Sequence, residues 1–228
     1  MRNSRCTIAN ESSIGKNGQR KLESACVGVA GLGGVGSIAF ELLVRAGVGR
    51  IRAADGGFFE ESNANRQSMW AKKTDGMGKA DAAAQFAAEV NPRCEIKKFG
   101  EIKSANSFEF ASGCSAVIDA TDRAHSRLAV WSGCCKAGVP YVFASALGTK
   151  GMLTVFAGRD FEKEFGIKGK SIQNFLSCDH SLGPVANAIG CLAAQQALNT
   201  ILGEKTAKFP RVISIDAFSA RQAISHSF

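Results

Sequence analysis

Short apolar runs alternate with amphipathic segments along the first two-thirds of the chain. Four of these runs predict buried strands, at residues 26–30, 50–54, 116–118 and 141–143. The segments between them predict helices at residues 36–46, at residues 79–90, and from the third strand as far as residue 136. In the second of these helices Ala83, Phe86, Ala87 and Val90 recur at helical spacing, and Asn91-Pro92 ends it. The alternation favours an α/β fold with a mostly parallel sheet.

The pattern changes in the last third of the chain. Apolar runs at residues 153–156 and 212–215 predict two more strands. A polar stretch at residues 158–177 and a long helix at residues 185–202 separate them. Gly203 is placed to form the C-cap of that helix.

These elements predict one domain over residues 1–228. Residues 1–146 are expected to form a Rossmann-like nucleotide-binding part with a mostly parallel sheet and helices on both faces. Residues 147–228 are expected to extend the same sheet with antiparallel strands. No internal repeat, low-complexity tract or linker interrupts the chain.

Composition excludes several classes of protein. Apolar residues make up 45% of the chain and charged residues 21%, which is typical of a globular protein rather than a disordered one. No apolar run reaches the roughly 20 residues of a membrane helix, and no signal-peptide core follows Met1, so we expect a cytoplasmic protein with no membrane partner. The eight cysteines show no C-x-x-C spacing and are expected to be reduced thiols, mostly buried. The net charge of +8 is compatible with an acidic partner but is weak support for nucleic-acid binding.

A glycine-rich loop follows the first predicted strand and opens a helix. Residues 31–36 match the pattern G-x-G-x-x-G through Gly31, Gly33 and Gly36. Glycines let the backbone approach a phosphate closely, and the helix N-terminus offers free N–H groups. Asp55 ends the next strand, where a carboxylate can accept hydrogen bonds from ribose hydroxyls. The loop therefore predicts an adenine-nucleotide site.

Four charged residues decide which nucleotide the site takes. They are Arg66, Lys79, Asp119 and Asp122. Since the carboxyl ends of neighbouring parallel strands open onto one crevice, these side chains are expected to converge beside the glycine loop. A triphosphate with Mg²⁺ requires such cations and a carboxylate, whereas a dinucleotide requires little beyond the helix N-terminus. Asp119 lies deeper in the fold and is as plausible a structural cap as a ligand. ATP is therefore favoured over NAD.

In these and several further motifs the chain resembles the ThiF/MoeB/HesA adenylyltransferases, relatives of the ubiquitin-activating enzymes. The motifs that carry the resemblance run in order along nearly the whole chain. They are Gly31, Gly33, Gly34 and Gly36 in the loop, Asp55, Asn63-Ala64-Asn65-Arg66-Gln67, Gly78-Lys79, Asn91-Pro92, Asp119 and Asp122, Cys178, Leu182-Gly183-Pro184 and Ile215-Asp216-Ala217.

The resemblance implies ATP-dependent adenylation of the C-terminal glycine carboxylate of a ubiquitin-like sulfur carrier ending in Gly-Gly. It places Gly34 against the nucleotide and Asp55 on the ribose. It places Asn63, Arg66, Gln67 and Lys79 on the phosphates and Asp122 on Mg²⁺. It makes residues 147–228 the carrier-binding part of the domain.

The resemblance also implies a homodimer and a candidate second-step thiol. Members of the family are homodimers, in which an N-terminal arginine reaches the phosphates of the neighbouring subunit, and Arg5 is the best match to it. Some members form a covalent bond to the carrier through a cysteine near the position of Cys178, although an incidental Cys178 is equally compatible with the sequence.

The chain departs from the family at three places. Many members bind a structural zinc through two C-x-x-C pairs, which this sequence lacks, so we predict no zinc. Gly57 stands where a second acidic residue is usual, and Arg123 stands where an asparagine is common. These changes alter the charge near the phosphates and leave the choice of substrate open.

The sequence is also compatible with functions other than activation of a sulfur carrier. A branch of the same superfamily dehydrates threonylcarbamoyladenosine in tRNA with ATP, and the net positive charge is compatible with tRNA. A nicotinamide-dependent oxidoreductase would leave Arg66 and Lys79 without a role, and a non-catalytic nucleotide-binding protein would not require Asp122. The sequence does not name the carrier, the pathway or the sulfur donor.

Overall fold

The computed structural model describes residues 7–158 and 180–219, together with the backbone of residues 224–227. The helices in these ranges are α1 (Ile8–Ser24), α2 (Gly34–Ala46), α3 (Lys79–Val90), α4 (Ser107–Ala111), α5 (Ala124–Ala137) and α6 (Gly183–Leu202). The strands are β1 (Cys26–Ala30), β2 (Arg50–Ala54), β3 (Glu95–Phe99), β4 (Ala116–Asp119), β5 (Tyr141–Leu147), β6 (Lys150–Phe156), β7 (Arg211–Asp216) and β8 (Ile224–Ser227).

The strands form one mixed sheet in the order β3-β2-β1-β4-β5-β6-β7-β8. The pairings from β3 to β5 are parallel. The pairings from β5 to β8 are antiparallel. The predicted Rossmann-like fold, a mostly parallel sheet extended by antiparallel strands, is confirmed.

Helices cover both faces of the sheet, because successive side chains of a strand point to opposite sides. On β1, Val27 and Val29 pack into the core cluster that includes residues of α2 and α6. Cys26 and Ala30 point the other way, into the cluster that includes Phe110 of α4. Each face therefore buries its own apolar layer.

Close packing of α6 against α2 places two helix N-termini beside each other. A Cβ atom added at Gly190 of α6 would overlap Cγ2 of Ile38 and would lie 2.5 Å from the carbonyl oxygen of Val35. Gly203 ends α6 with a left-handed φ of 84°, which confirms the predicted C-cap. The close packing at Gly190 holds the start of α6 next to the glycine loop.

Several elements differ from the pattern-based expectation. The structure adds α1, β3, α4 and β8, which were not predicted, and it starts α2 at Gly34 and α6 at Gly183. No disulfide joins the six cysteines of the described residues, and four of them are buried. No helix within the described ranges is long and apolar enough to cross a membrane.

Candidate nucleotide-binding site

An open cleft of about 310 Å³ lies at the carboxyl ends of the parallel strands. The glycine loop after β1, Asp55 after β2 and Asp122 after β4 all line it. Arg66 and Lys79 line the same cleft from the segment between β2 and α3. The convergence expected from strand ends is therefore present for these residues.

The glycine loop closes tightly where side chains would not fit. Gly31 has a left-handed φ of 82°, and a Cβ atom there would lie 2.7 Å from the carbonyl oxygen of Ala120. A Cβ atom at Gly36 would overlap the carbonyl oxygen of Gly31. The loop thus leaves the N-terminus of α2 open at Gly33 and Gly34, which line the cleft. Free N–H groups at such a helix start bind phosphate oxygens.

Backbone donors hold the carboxylate of Asp55 in place. Its Oδ2 accepts a hydrogen bond from the Leu32 N–H at 2.7 Å, and its Oδ1 accepts one from the Gly57 N–H at 2.7 Å. A carboxylate has about four acceptor sites, so two remain for ribose hydroxyls. Gly57, at the position where the family often has a second acid, therefore contributes its backbone to orienting Asp55.

Two of the four cations that line the cleft, Arg66 and Lys79, are not neutralised by acids. Arg66 donates from Nη1 to the Ser62 carbonyl at 3.1 Å and to Asn65 Oδ1 at 2.8 Å. The backbone N–H of Lys79 donates to the Gly57 carbonyl at 3.0 Å, and the side-chain Nζ lies 5.9 Å from the ring centroid of Phe59. Neither side chain forms a salt bridge within the part of the chain that the structure describes. Both positive charges are available to an anion.

The buried acid Asp119 is a structural residue. It is fully buried, and its Oδ1 accepts hydrogen bonds from the Thr121 N–H at 2.9 Å and the Thr121 hydroxyl at 2.6 Å. Its Oδ2 accepts from the Tyr141 hydroxyl and lies 3.6 Å from Arg127 Nη1. Burial and the nearby charge of Asp119 raise the pKa of Tyr141 well above its usual value, so that hydroxyl keeps its proton and donates. Asp119 and Tyr141 lie outside the lining of the cleft, whereas Thr121 and Arg127 line it.

The neighbouring acid Asp122 is exposed and lines the cleft. Within the described ranges its carboxylate forms no salt bridge. An exposed carboxylate in this cleft is of the kind that binds Mg²⁺, which usually takes one or two carboxylates and completes its shell with phosphate oxygens and water. The described residues contain no group of three or more acidic, histidine or cysteine side chains that could hold a metal ion.

Two of the three amides of the Asn-x-Asn-Arg-Gln segment, Asn63 and Gln67, differ in placement. Asn63 is buried and outside the lining of the cleft, and its Oδ1 accepts from the Glu60 N–H at 3.1 Å, so it shapes the turn that precedes Arg66. Gln67 lines the cleft and is 5% exposed. Its buried Oε1 has no hydrogen-bond partner among the described residues.

Two charged residues of the cleft were not predicted. Glu101 lines it just after β3, and its Oε1 lies 3.0 Å from His125 Nε2. The hydrogen bond with His125 lowers the pKa of Glu101. Arg127 lines the floor of the cleft, is 1% exposed, and donates to the Ala144 carbonyl at 3.2 Å. Arg127 lies on the first turn of α5, shortly after Asp122, and this position could have indicated that it lies in the cleft. Glu101 follows a strand with no apolar run, so no such signal marks it in the sequence.

Other predicted features lie outside the described residues. Arg5 and Cys178 are among them, as are residues 159–177 of the polar stretch. The predicted absence of zinc stays a prediction.

Solved structures of known proteins share this architecture. A structure of E. coli MccB with ATP superposes with a TM-score of 0.79 at 19% identity, covering 99% of this chain and 72% of that one. E. coli tRNA N6-threonylcarbamoyladenosine dehydratase, TcdA, in complex with AMP, superposes with a TM-score of 0.69 at 23% identity, covering 86% of this chain and 93% of that one. At such identities the likeness establishes the fold alone.

Sequence relatives establish the family. The adenylyltransferase and sulfurtransferase UBA4 of Eremothecium gossypii is 32% identical over 83% of this chain and 44% of its own length. The adenylyltransferase and sulfurtransferase MOCS3-1 of Zea mays is 32% identical over 91% of this chain and 46% of its own length. The chain thus spans about half the length of the curated relatives it matches. The model of the ThiF family matches residues 7–226, and the chain belongs to that family.

Proposed function

We propose that this chain uses ATP to adenylate the C-terminal glycine carboxylate of a ubiquitin-like sulfur carrier, releasing pyrophosphate. The names of both relatives, adenylyltransferase and sulfurtransferase, support the transfer of an adenylyl group. Membership of the ThiF family supports the same chemistry.

The distribution of charge in the cleft carries the proposal. Arg66 and Lys79 have no acidic partner within the described residues, and both face the cleft into which the N-terminus of α2 opens. Asp122 lines the same cleft as an exposed carboxylate. Two cations, a helix N-terminus and one free acid are the groups that a magnesium triphosphate requires.

The reaction needs no general base. A C-terminal carboxylate has an ordinary pKa of about 3.5 and is already ionised at neutral pH. One of its oxygens attacks the α-phosphorus of ATP and forms a P–O bond. The bond from that phosphorus to the bridging oxygen breaks, and its electron pair leaves with pyrophosphate. The obstacle is the approach of one anion to another.

The residues of the cleft lower that obstacle by electrostatics and positioning. Asp55 holds the ribose, while Arg66 and Lys79 bind the phosphates and stabilise the charge that develops on pyrophosphate. Asp122 would hold Mg²⁺, which when bound adds positive charge at the phosphates. Fixed charges of this kind act without reorganising during the reaction, which is why positioning dominates phosphoryl-type transfer.

An apolar surface beside the cleft supports a protein substrate. Leu147, Leu182 and Phe218 are 53%, 42% and 83% exposed. Hydrogen bonds bring their segments together at the β5–β6 turn, since the Leu182 N–H donates to the Gly148 carbonyl at 2.9 Å and the Ala217 N–H donates to the Thr149 carbonyl at 2.8 Å. Exposed apolar side chains in one patch are typical of protein-binding surfaces. The proposal therefore gives residues 147–228 the role of holding the carrier.

The proposal includes two features that rest on the family resemblance. In a homodimer, Arg5 would add a cation to the phosphates of the neighbouring subunit. Cys178 would act after adenylation, when its thiolate attacks the carrier's acyl carbon and AMP leaves with the electron pair of the broken C–O bond.

ATP–pyrophosphate exchange tests the proposal. Purified ubiquitin-fold proteins that end in Gly-Gly are added singly to the chain with MgATP, and at least one of them should start the exchange. Arg66→Ala should lower that exchange by about 100-fold or more, because a cation on the developing charge is lost. Arg45→Ala is the matched control, since Arg45 pairs with Glu41 on the surface of α2. Equal exchange by the Arg66 and Arg45 variants would contradict the proposed role of Arg66.

A second candidate is ATP-dependent dehydration of threonylcarbamoyladenosine in tRNA. The chain covers 93% of the TcdA structure, which makes the two domains similar in extent. The formal charge of +8 is also compatible with tRNA. Adding tRNA in place of the carriers distinguishes the two functions, because only the dehydratase would increase its ATP turnover with tRNA.

A further inference from the structure

Three segments of the chain meet beside the candidate phosphate site. A Cβ atom at Gly183, the first residue of α6, would overlap the carbonyl oxygen of Asn65. A Cβ atom at Gly34, the first residue of α2, would lie 3.1 Å from Ala186 Cβ and 3.3 Å from Arg66 Cγ. The first turn of α6 therefore lies in direct contact with both the glycine loop and the segment that carries Arg66.

One polar side chain bridges this junction. Asn187 lies in the first turns of α6, and its side-chain amide nitrogen donates to the Arg66 carbonyl at 3.1 Å and to the Gly34 carbonyl at 3.2 Å. The amide orientation is assigned from these bonds, because the opposite orientation would place its oxygen against two acceptors. A side-chain amide has two N–H groups, one for each carbonyl.

The bridge fixes Arg66 from its backbone side. The guanidinium of Arg66 is already held by the Ser62 carbonyl and by Asn65 Oδ1. With Asn187 on its carbonyl, both ends of Arg66 are tied to neighbours. The same amide holds the first residue of α2, whose N-terminal N–H groups open onto the cleft. Asn187 thus sets the position of the guanidinium relative to that helix N-terminus.

We infer that Asn187 is a positioning residue for phosphate binding, which acts through Arg66 and the start of α2. The inference rests on the proposed function, because it takes the cleft to be where ATP binds. Asn187 is absent from the lining of the cleft, so its effect on the nucleotide is indirect. Pre-arranged groups bind more tightly because less ordering is needed on binding.

Substitution of Asn187 tests this inference through the affinity for MgATP, measured by calorimetry. Asn187→Ala removes two neutral hydrogen bonds, and we expect the affinity to fall about tenfold. Adenosine, which has no phosphates, should lose less than about twofold. Asn187→Ser keeps one hydroxyl donor, so its affinity for MgATP should lie between those of the alanine variant and the unsubstituted chain. The serine variant also provides the test if the alanine variant does not fold. Gln195→Ala, an exposed amide later on α6, is the control and should bind MgATP as the unsubstituted chain does.

A double-mutant cycle separates positioning from general stability. If Asn187 acts partly through Arg66, then adding Asn187→Ala to Arg66→Ala should weaken MgATP binding by clearly less than the roughly tenfold expected in the unsubstituted chain, because only the contribution through the start of α2 remains. A merely structural asparagine would give the same loss in both backgrounds and would weaken adenosine equally. Either result, or unchanged MgATP affinity in a folded Asn187 variant, would overturn the inference.

The cycle also distinguishes this inference from the adenylation proposal. If MgATP binds but no carrier starts the exchange, the adenylation proposal fails, while the cycle still decides the role of Asn187. If MgATP does not bind to the unsubstituted chain at all, both fall.

Discussion

Asp119 and Asp122 are two acids three positions apart for which the structure predicts opposite responses to one chemical change. Replacing either with asparagine keeps the size of the side chain and removes its negative charge. Asp119 is fully buried, with hydrogen bonds from Thr121 and Tyr141 and with Arg127 close by. Asp122 is exposed at the cleft. Stability should therefore depend on the first acid and activity on the second.

The magnitudes follow from these surroundings. The substitution Asp119→Asn would leave Arg127 as an uncompensated buried charge and would turn an amide N–H group toward a donor. Breaking a buried ion pair in this way costs about 3–5 kcal/mol. That is a large part of the roughly 5–15 kcal/mol by which a domain is stable. Asp122→Asn should change the free energy of unfolding by less than about 0.5 kcal/mol, as surface substitutions usually do. It should lower carrier-dependent exchange by about 100-fold, because the carboxylate that would hold the metal is gone.

Urea denaturation and ATP–pyrophosphate exchange, measured on both variants, complete the test. The Asp119 variant should unfold at a much lower urea concentration. At a temperature where it is still folded, it should retain more exchange activity than the Asp122 variant. The reasoning would be refuted if Asp119→Asn left the unfolding midpoint unchanged, or if Asp122→Asn exchanged pyrophosphate normally.

Two further predictions concern the glycine loop and a buried thiol. Gly36→Ala should destabilise the chain and abolish MgATP binding, because the new Cβ would overlap the Gly31 carbonyl oxygen; a variant that binds MgATP with unchanged affinity by calorimetry would contradict this. Burial raises the pKa of Cys94 to about 12, so its neutral thiol contributes stability that is complete below its usual pKa and is lost as pH rises toward 12. The urea midpoint of the unsubstituted chain should therefore fall more between pH 8 and about 10 than that of Cys94→Ala; parallel decreases would count against it.

The pattern of apolar residues predicted where the strands end, and the ends of neighbouring strands bring the site residues together. Asp55 and Asp122 follow runs of buried residues, and because parallel strands end at one edge, their shared cleft could be predicted. The strand β3 was missed because it lies at the edge of the sheet, where Glu95, Lys97 and Lys98 are exposed and leave no apolar run. Glu101, which follows β3, was missed with it.

Side-chain direction is the part of the site that spacing does not determine. Asn63 belongs to the same motif as Arg66, yet it turns inward to the backbone of its own turn rather than to the cleft. Asn187 lies far along the chain from both of its acceptors, so only the packing of α6 on α2 brings it there. Contacts of this kind depend on how helices pack against each other. Hydrophobic periodicity predicts which face of a helix is buried, but not how that face is arranged against another helix.

The central claim is that the cleft joins AMP to a terminal carboxylate. Intact-mass measurement of a Gly-Gly-ending carrier, after incubation with the chain and MgATP, tests this claim directly. We predict a carrier that gains one AMP at its last glycine, and no gain when that carboxylate is amidated. A carrier that stays unmodified while the chain binds MgATP, or an amidated carrier that reacts equally well, would contradict the account.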